Sequence, residues 1–260
     1  MFKAEDSRYM FSGSALAVSA AIDKPVRDFL TDQTSAVLSS SGGYALQTRE
    51  HTNFREIIRT GRVSATVIGN DETDHHFVTL ATATVENLDI LGFIKADAIV
   101  SRIAARSRKD DKGGEIHATS FRFEGSAFYG LKINGKHYEP RLCDPCTDYP
   151  NDPSYRVSKD KKTCEIADDS NKRLLCKVES DRAYRLLADA VGEKRLFSNV
   201  HYTRPRGPFL EFLEFGRIYL GELDIFKGRA SLTMLRVEFG CTVGGSGSCA
   251  TSTTNGHQVP

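Results

Sequence analysis

From Gly61 to Gly135 the chain passes through short segments in which apolar and polar residues alternate: GRVSATVIG, HFVTLATATV, ENLDIL, ADAIVSRIAAR, IHATSFRF and YGLKINGKHY. Each is rich in Val, Ile, Thr and Phe and is bounded by Gly, Asn or Asp, which predicts a succession of antiparallel strands. Phe77, Thr79, Ala81, Ala83 and Val85 share one face of such a strand. Their small side chains suit two sheets packed face to face at about 10 Å. Asn87 begins a corner, after which Leu88 and Ile90 resume the strand. Ile99, Ser101 and Ile103 share a face of the next strand, and Phe121 and Phe123 share a face further on. Asn134-Gly135, set between Leu131/Ile133 and His137/Tyr138, is the preferred pair for a type I′ hairpin turn.

Outside this stretch the pattern is more mixed. Leu16, Val18, Ala20 and Ile22 would share one face of an opening strand over 10–22, which Pro25 ends. SAVLSSSGGYALQ (35–47) reads as two short strands around Ser41, Gly42 and Gly43. NFREIIRTGRVS is ambiguous: Phe54, Ile57 and Ile58 have helical spacing, whereas Val63, Ala65 and Val67 alternate as a strand. NDETDHH (70–76) and RKDDKGG (108–114) read as polar hairpin loops. The polar, proline-rich sequence from Pro140 opens an insertion over 140–200. Within it RLLCKVE (173–179) reads as a strand. Tyr184, Leu187, Ala188 and Val191 predict a helix over 180–197, capped by Ser180 and ended by Gly192.

Leu223 and Ile225 then form a short strand. After it Ser231, Thr233, Leu235, Val237 and Phe239 alternate with Leu232, Met234, Arg236 and Glu238. GELDIFKGRASLTMLRVEFG echoes ENLDILGFIKADAIVSRIAAR. Residues 244–260 read as a flexible small-residue tail. The expected fold is a single all-β domain over 1–260, an antiparallel β-sandwich or sandwich-like barrel with one helix on a Cys-containing insertion.

At 260 residues such a domain can bury a substantial core. Charge is balanced, 35 Lys and Arg against 34 Asp and Glu, which gives no electrostatic reason to expect nucleic acid or an acidic membrane as partner. No window approaches the roughly 18–20 consecutive apolar residues of a membrane span. MFKAEDSRYMF is charged and lacks an apolar core, so no secretory signal is read in the chain as given. Cysteine usage points the other way. Cys143, Cys146, Cys164, Cys176, Cys241 and Cys249 all lie in the second half. An even number in loop-rich sequence suits disulfides and an extracellular or cell-surface location.

Few constellations could carry chemistry. Cys143, Cys146, Cys164 and Cys176 leave two readings open, a pair of disulfides or a structural Zn²⁺ site. The absence of a second C-x-x-C pair favours the disulfides. Cys241 and Cys249 flank a short flexible segment and predict a local disulfide. Asp71, Glu72, Asp74, His75 and His76 read as a solvated hairpin tip rather than a metal site, because adjacent strand residues point to opposite faces. Arg102, Arg106, Arg108, Lys109 and Lys112 form a basic patch without interleaved aromatics, offset by Asp110 and Asp111. His117, His137 and His201 lack a nucleophile elbow. Gly125, Gly130 and Gly135 are turn and bulge glycines rather than a phosphate loop, because no helix follows them. No catalytic residue, cofactor or resident metal is assigned.

Several segments follow one another in a recognisable order: Gly13-Ser14-Ala15, SSSGG at 39–43, TATVENLDILGFIKADAIVSRIAAR at 82–106, FRFEGSAFYGLKING at 121–135 and LTMLRVEF at 232–239. This order resembles the choice-of-anchor P type of bacterial surface domain. That family's V-x-x-L-x-L-L-G-x-x-x-A-D-A-I-x-S stretch corresponds to Val85 to Ser101, and its F-x-G-L-x-V-N-G stretch to Phe128 to Gly135. The resemblance implies an exported all-β domain of a bacterial surface and brings no catalytic residues with it. The chain departs from the family in its 27% charged residues, its cysteine-containing insertion and its expected helix.

The first expectation is therefore an exported, non-enzymatic structural, adhesive or self-assembling domain. Its partner would be a protein, a surface polymer or another copy of itself. The alternative is a secreted carbohydrate-binding or hydrolytic protein with a face lined by Tyr202, Tyr219, Glu211 and Glu222, although the absence of Trp counts against sugar stacking. A third reading is a cytosolic zinc-stabilised assembly component.

Overall fold

The computed structural model describes residues 9–25, 27–30, 33–72, 76–109, 116–142, 155–157, 164–167, 172–174, 176–178, 209–212, 215–226, 229–240 and 243–258. Their regular elements are all strands. The first half holds β1 (Tyr9–Lys24), β2 (Asp28–Phe29), β3 (Ser35–Val37), β4 (Gly43–Arg49), β5 (Thr52–Phe54), β6 (Ile58–Thr60), β7 (Val63–Glu72), β8 (His76–Ile90), β9 (Ile94–Lys109) and β10 (Ile116–Arg122). After them come β11 (Ala127–Tyr129), β12 (Lys132–Ile133), β13 (Lys136–His137), β14 (Pro140–Leu142), β15 (Tyr155–Val157), β16 (Cys164–Ala167), β17 (Lys172–Leu174) and β18 (Cys176–Val178). The chain closes with β19 (Phe209–Phe212), β20 (Gly216–Phe226), β21 (Arg229–Gly240) and β22 (Gly244–Gln258).

The fold is all-β and antiparallel. One sheet of eight strands runs β17-β20-β21-β22-β1-β2, with β19 on β20 and β3 on β1. The other, of twelve strands, runs β15-β16-β10-β9-β8-β6-β5. To it β4 is added through β7 on β8, β11 and β12 are added on β9, and β13 is added on β12. β14 and β18 pair separately. The expected alternation holds in β8, where Thr79, Ala81, Ala83 and Val85 are buried, and in β9, where Ile99, Ser101 and Ile103 are buried. Asn134 and Gly135 have φ of 50° and 74°, the left-handed pair that a type I′ turn demands. Arg55 and Glu56 also take left-handed φ, 50° and 57°, and this turns NFREIIRT into the β5–β6 hairpin, so the helical spacing of Phe54 and Ile58 is overridden.

The two sheets pack face to face around one apolar core and approach each other closely. A methyl group added at Gly13 in β1 would lie 2.8 Å from Val67 Cγ1 and 2.9 Å from Thr79 Cγ2 of the facing sheet. Hydrogen bonds also cross the gap. Ser101 Oγ in β9 donates to the Leu232 carbonyl (3.1 Å), and Ser252 Oγ in β22 donates to the Ser101 carbonyl (3.2 Å). Tyr9 OH donates to Ser107 Oγ (3.2 Å). Aromatic groups fill in around this contact. The rings of Tyr9 and Phe77 stack at 4.2 Å beside Phe11, and those of Phe93 and Phe215 stack at 4.3 Å beside Phe212 and Phe239.

The buried face changes phase along one belt of the eight-stranded sheet. Leu220 pairs with Leu235 and Glu222 with Thr233, which leaves Gly221 and Met234 without paired partners. Ala250 and Ala17 are passed over in the same way between the Cys249–Val18 and Thr251–Leu16 pairs. Gly221 (φ 61°) and Ala250 (φ 52°) are left-handed. A left-handed residue turns the strand behind it over, so alternation restarts on the other parity. Adjacent residues are both buried at Cys249-Ala250 and, in register with it on neighbouring strands that carry no left-handed residue, at Ala17-Val18 and Met234-Leu235. The twelve-stranded sheet has a counterpart at Asn87 (φ 50°), where the buried set passes from Val85 to Leu88. The echoed ENLDIL and GELDIF segments thus each carry a left-handed position just ahead of their shared Leu-Asp-Ile.

Three expectations are corrected. Residues 244–258 are not a tail: β22 lies between β21 and β1 as a central strand. Leu16 does not share the face of Val18, Ala20 and Ile22, because the phase change separates them, and the single alternation expected for β21 breaks at Met234-Leu235. Within the 140–200 segment β17 and β18 fall on the expected strand RLLCKVE. In the same segment β16 extends the twelve-stranded sheet at β10, and β17 extends the eight-stranded sheet at β20. The expected helix over 180–197 lies outside the described residues.

Candidate interaction surface

Glycine 221 also positions a polar network on the face of β20 and β21 away from the core. Alternation would place Glu222 opposite to Tyr219, but the left-handed residue between them brings both to one face. There Arg236 grips Glu222 with two parallel bonds, Nε to Oε2 at 2.7 Å and Nη2 to Oε1 at 2.9 Å. Its Nη1 donates to Glu238 Oε1 at 2.5 Å, and its guanidinium lies 3.5 Å from the Tyr219 ring centre. Tyr219 OH donates to Glu238 Oε2 at 3.0 Å. Arg217 extends the row through Glu211 (3.1 Å) and sits over the Phe209 ring.

Charge and burial compete here. Burial alone would lower the Arg236 guanidinium, but Glu222 and Glu238 outweigh it and hold the group well above its ordinary value. Burial would raise the Glu238 carboxyl, yet hydrogen bonds from Arg236 and Tyr219 hold it below the usual carboxylate range. Burial, then the bond and charge of Glu238, raise the Tyr219 phenol. Tyr219 and Glu222 are buried and committed to this network, so neither forms part of an open sugar platform. Glu211 is held by Arg217, and Tyr202 lies outside the described residues.

The other singled-out residues do not gather. Arg102 turns outward, its main-chain N–H and carbonyl clasped by Ser126 Oγ (2.8 and 2.9 Å). Arg106 pairs with Glu72 at 3.3 Å, which joins the expected basic patch to the expected acidic tip. Asp74, His75, Lys112 and His201 lie outside the described residues. His137 is exposed on β13, and His117 stands in β10. Among the described residues no group of three or more His, Cys, Asp and Glu is placed to hold a metal ion. Cys249 is a free thiol buried in the core, its pKa pushed up to about 12 by burial. Register sets it opposite Leu235, five residues along from the Gly240–Gly244 pair. Cys143, Cys146 and Cys241 lie outside the described residues, and Cys164 and Cys176 stand in β16 and β18.

A different surface stands out. Among the described strands β4 pairs only with β7 and forms an outer edge of the twelve-stranded sheet. Tyr44 and Leu46 point outward from it at 62% and 51% exposure, and Ile68, the register partner of Tyr44, continues the stripe on β7. Val37, 69% exposed, lies on β3, which packs beside β4 and β7. The inner face of β4 is anchored: Ala45 packs on the core, and Gln47 Oε1 accepts a bond from the Ser35 N–H at 2.7 Å. The sequence reading missed this surface. A signal was present, since GYALQT has apolar residues on alternate positions and no charged face to oppose them.

No curated protein and no solved structure matches the chain. A family model described as a domain of unknown function, DUF8256, matches residues 9–226, from the first residue of β1 to the last of β20. The match covers well over half of the chain, which therefore belongs to the DUF8256 family.

Proposed function

We propose that this domain is an exported, non-enzymatic structural component of a bacterial surface, acting by adhesion or self-association. The observation that carries this reading is the anchored edge strand β4, uncharged from Gly43 to Thr48, with its outward Tyr44 and Leu46 and with Ile68 beside them on β7. An apolar stripe on an open sheet edge is the kind of surface through which β proteins join one another. The sandwich-like packing, with its small-residue contact and cross-sheet hydrogen bonds, supports a rigid structural part. The resemblance to choice-of-anchor P domains supports export. So does the number of cysteines, although the free Cys249 revises the expected pairing. Carbohydrate binding is favoured less, since Tyr219, Glu222 and Glu211 are engaged with Arg236 and Arg217.

The test is labelling of intact bacterial cells that produce the full chain, using an amine-reactive reagent that cannot cross membranes. The reading expects labelled protein from unbroken cells. Protein that labels only after lysis would remove the exported role.

A further inference from the structure

We infer that β4 pairs antiparallel with the β4 of a second copy of this chain, joining two twelve-stranded sheets into one across a two-fold axis. The inference rests on the self-association reading above and names its partner.

The first observation is a difference in length. The other outermost strands of the described sheets, β2, β3, β5, β11, β13, β15, β17 and β19, have two to four residues each, whereas β4 has seven. Short edges are a standard protection against unwanted pairing, as are charges, prolines and bulges. β4 has none of these protections from Gly43 to Thr48, and its register with β7 runs unbroken from Gly43–Gly69 to Arg49–Val63. In an antiparallel pair every second residue directs its N–H and C=O away from the partner, so β4 offers a row of such groups on its open side.

The second observation is charge. The edge is polar-neutral along its length, with Arg49 at one end. Beyond the other end β7 continues past its last partner on β4, through Asn70 to the exposed Asp71, next to Glu72, which Arg106 holds at 3.3 Å. An antiparallel copy sets Arg49 beside the end that carries Asp71, whereas a parallel copy sets Arg49 beside Arg49. Unlike ends therefore meet only in the antiparallel arrangement.

Centred on Leu46, the pairing places Leu46 against Leu46 of the copy and Tyr44 against Thr48, so the exposed stripes of the two molecules merge. A two-fold contact uses the same edge on both chains and is closed. With one long edge among the described strands, the product is a dimer rather than a fibre.

Sedimentation velocity of the full chain up to about 100 µM tests this. The expected result is a concentration-dependent dimer. Leu46→Lys, which sets two like charges at the axis, shifts the protein to monomer with its melting temperature kept. Leu91→Lys, at a Leu of similar exposure (45%) in the β8–β9 turn, remains dimeric. Leu46→Cys, should the lysine variant fail to fold, gives a covalent dimer on mild oxidation that the parent chain does not give. A monomer at every concentration, a dimer that survives Leu46→Lys, or equal loss in Leu91→Lys overturns the inference. So does an oxidised Leu46→Cys chain that stays monomeric. None of these outcomes bears on export, which the labelling of intact cells decides separately.

Discussion

Ser101 and Ser252 are joined by a bond across the two sheets: the Ser252 hydroxyl donates to the Ser101 carbonyl at 3.2 Å, and the Ser101 hydroxyl donates to the carbonyl of Leu232, the register partner of Ser252. Each serine satisfies a buried hydroxyl on the main chain of the opposite sheet. The contact forms only because the facing positions are small. Replacing Ser101 with Ala should cost about 1 kcal/mol, the loss of one buried bond. Ser101→Leu should cost more, roughly 1–3 kcal/mol, because the facing backbone leaves no room. Denaturant unfolding of both variants measures this, and equal, near-zero losses would argue against the contact.

Removal of β22 is the more severe change. A chain ending at Gly240 loses the strand between β21 and β1. It should show no cooperative unfolding transition. A truncated chain that still melts sharply would mean that 244–258 is dispensable.

The left-handed residues give a pair of unequal effects. Gly221→Ala places a side chain at φ 61°, at a cost of about 1–2 kcal/mol. Ala250→Gly relieves the same cost at φ 52°, but gives up about 0.5–1 kcal/mol of backbone entropy and about 0.8 kcal/mol for the buried methyl, so its melting temperature should stay close to the parent's. Thermal melts should show a clear drop for Gly221→Ala and little change for Ala250→Gly.

Acid should weaken the fold through Glu238. Its carboxyl is held below its unfolded value by Arg236 and Tyr219. Its contribution is then full above the ordinary carboxylate pKa and is lost as pH falls through the depressed folded value. Glu238→Gln should flatten this acid limb of stability against pH. An unchanged limb would mean that the network has no role in it.

Base acts through Cys249. A thiol raised to about 12 in the fold favours the native state below its ordinary pKa, and that contribution is lost progressively as pH climbs towards the folded value. At neutral pH Cys249 should resist alkylation until the chain unfolds. Rapid native alkylation mapped to Cys249 by peptide mass would contradict its burial.

Sequence patterning reveals strands where large and small residues alternate against polar ones. The buried set Thr79, Ala81, Ala83 and Val85 was legible, and so was the Asn134-Gly135 turn. β22 was not, because a strand facing a close neighbour needs little volume of its own. Gly247, Cys249, Ala250, Ser252 and Thr254 fill its described buried positions without a Val, Leu or Ile among them. The phase change at Met234-Leu235 was hidden for another reason: it depends on backbone angles at Gly221 and Ala250, which composition does not express. The surface was half legible. Tyr44 and Leu46 could be placed on a strand, but that this strand is an edge follows from topology, and no local pattern records it.

Amide hydrogen exchange of the intact chain at low and high protein concentration tests the self-pairing edge most directly. The account predicts that protection rises with concentration in Gly43–Arg49, while the other described strands are unchanged. Exchange in β4 that is independent of concentration, or protection that rises instead at another edge, would contradict it.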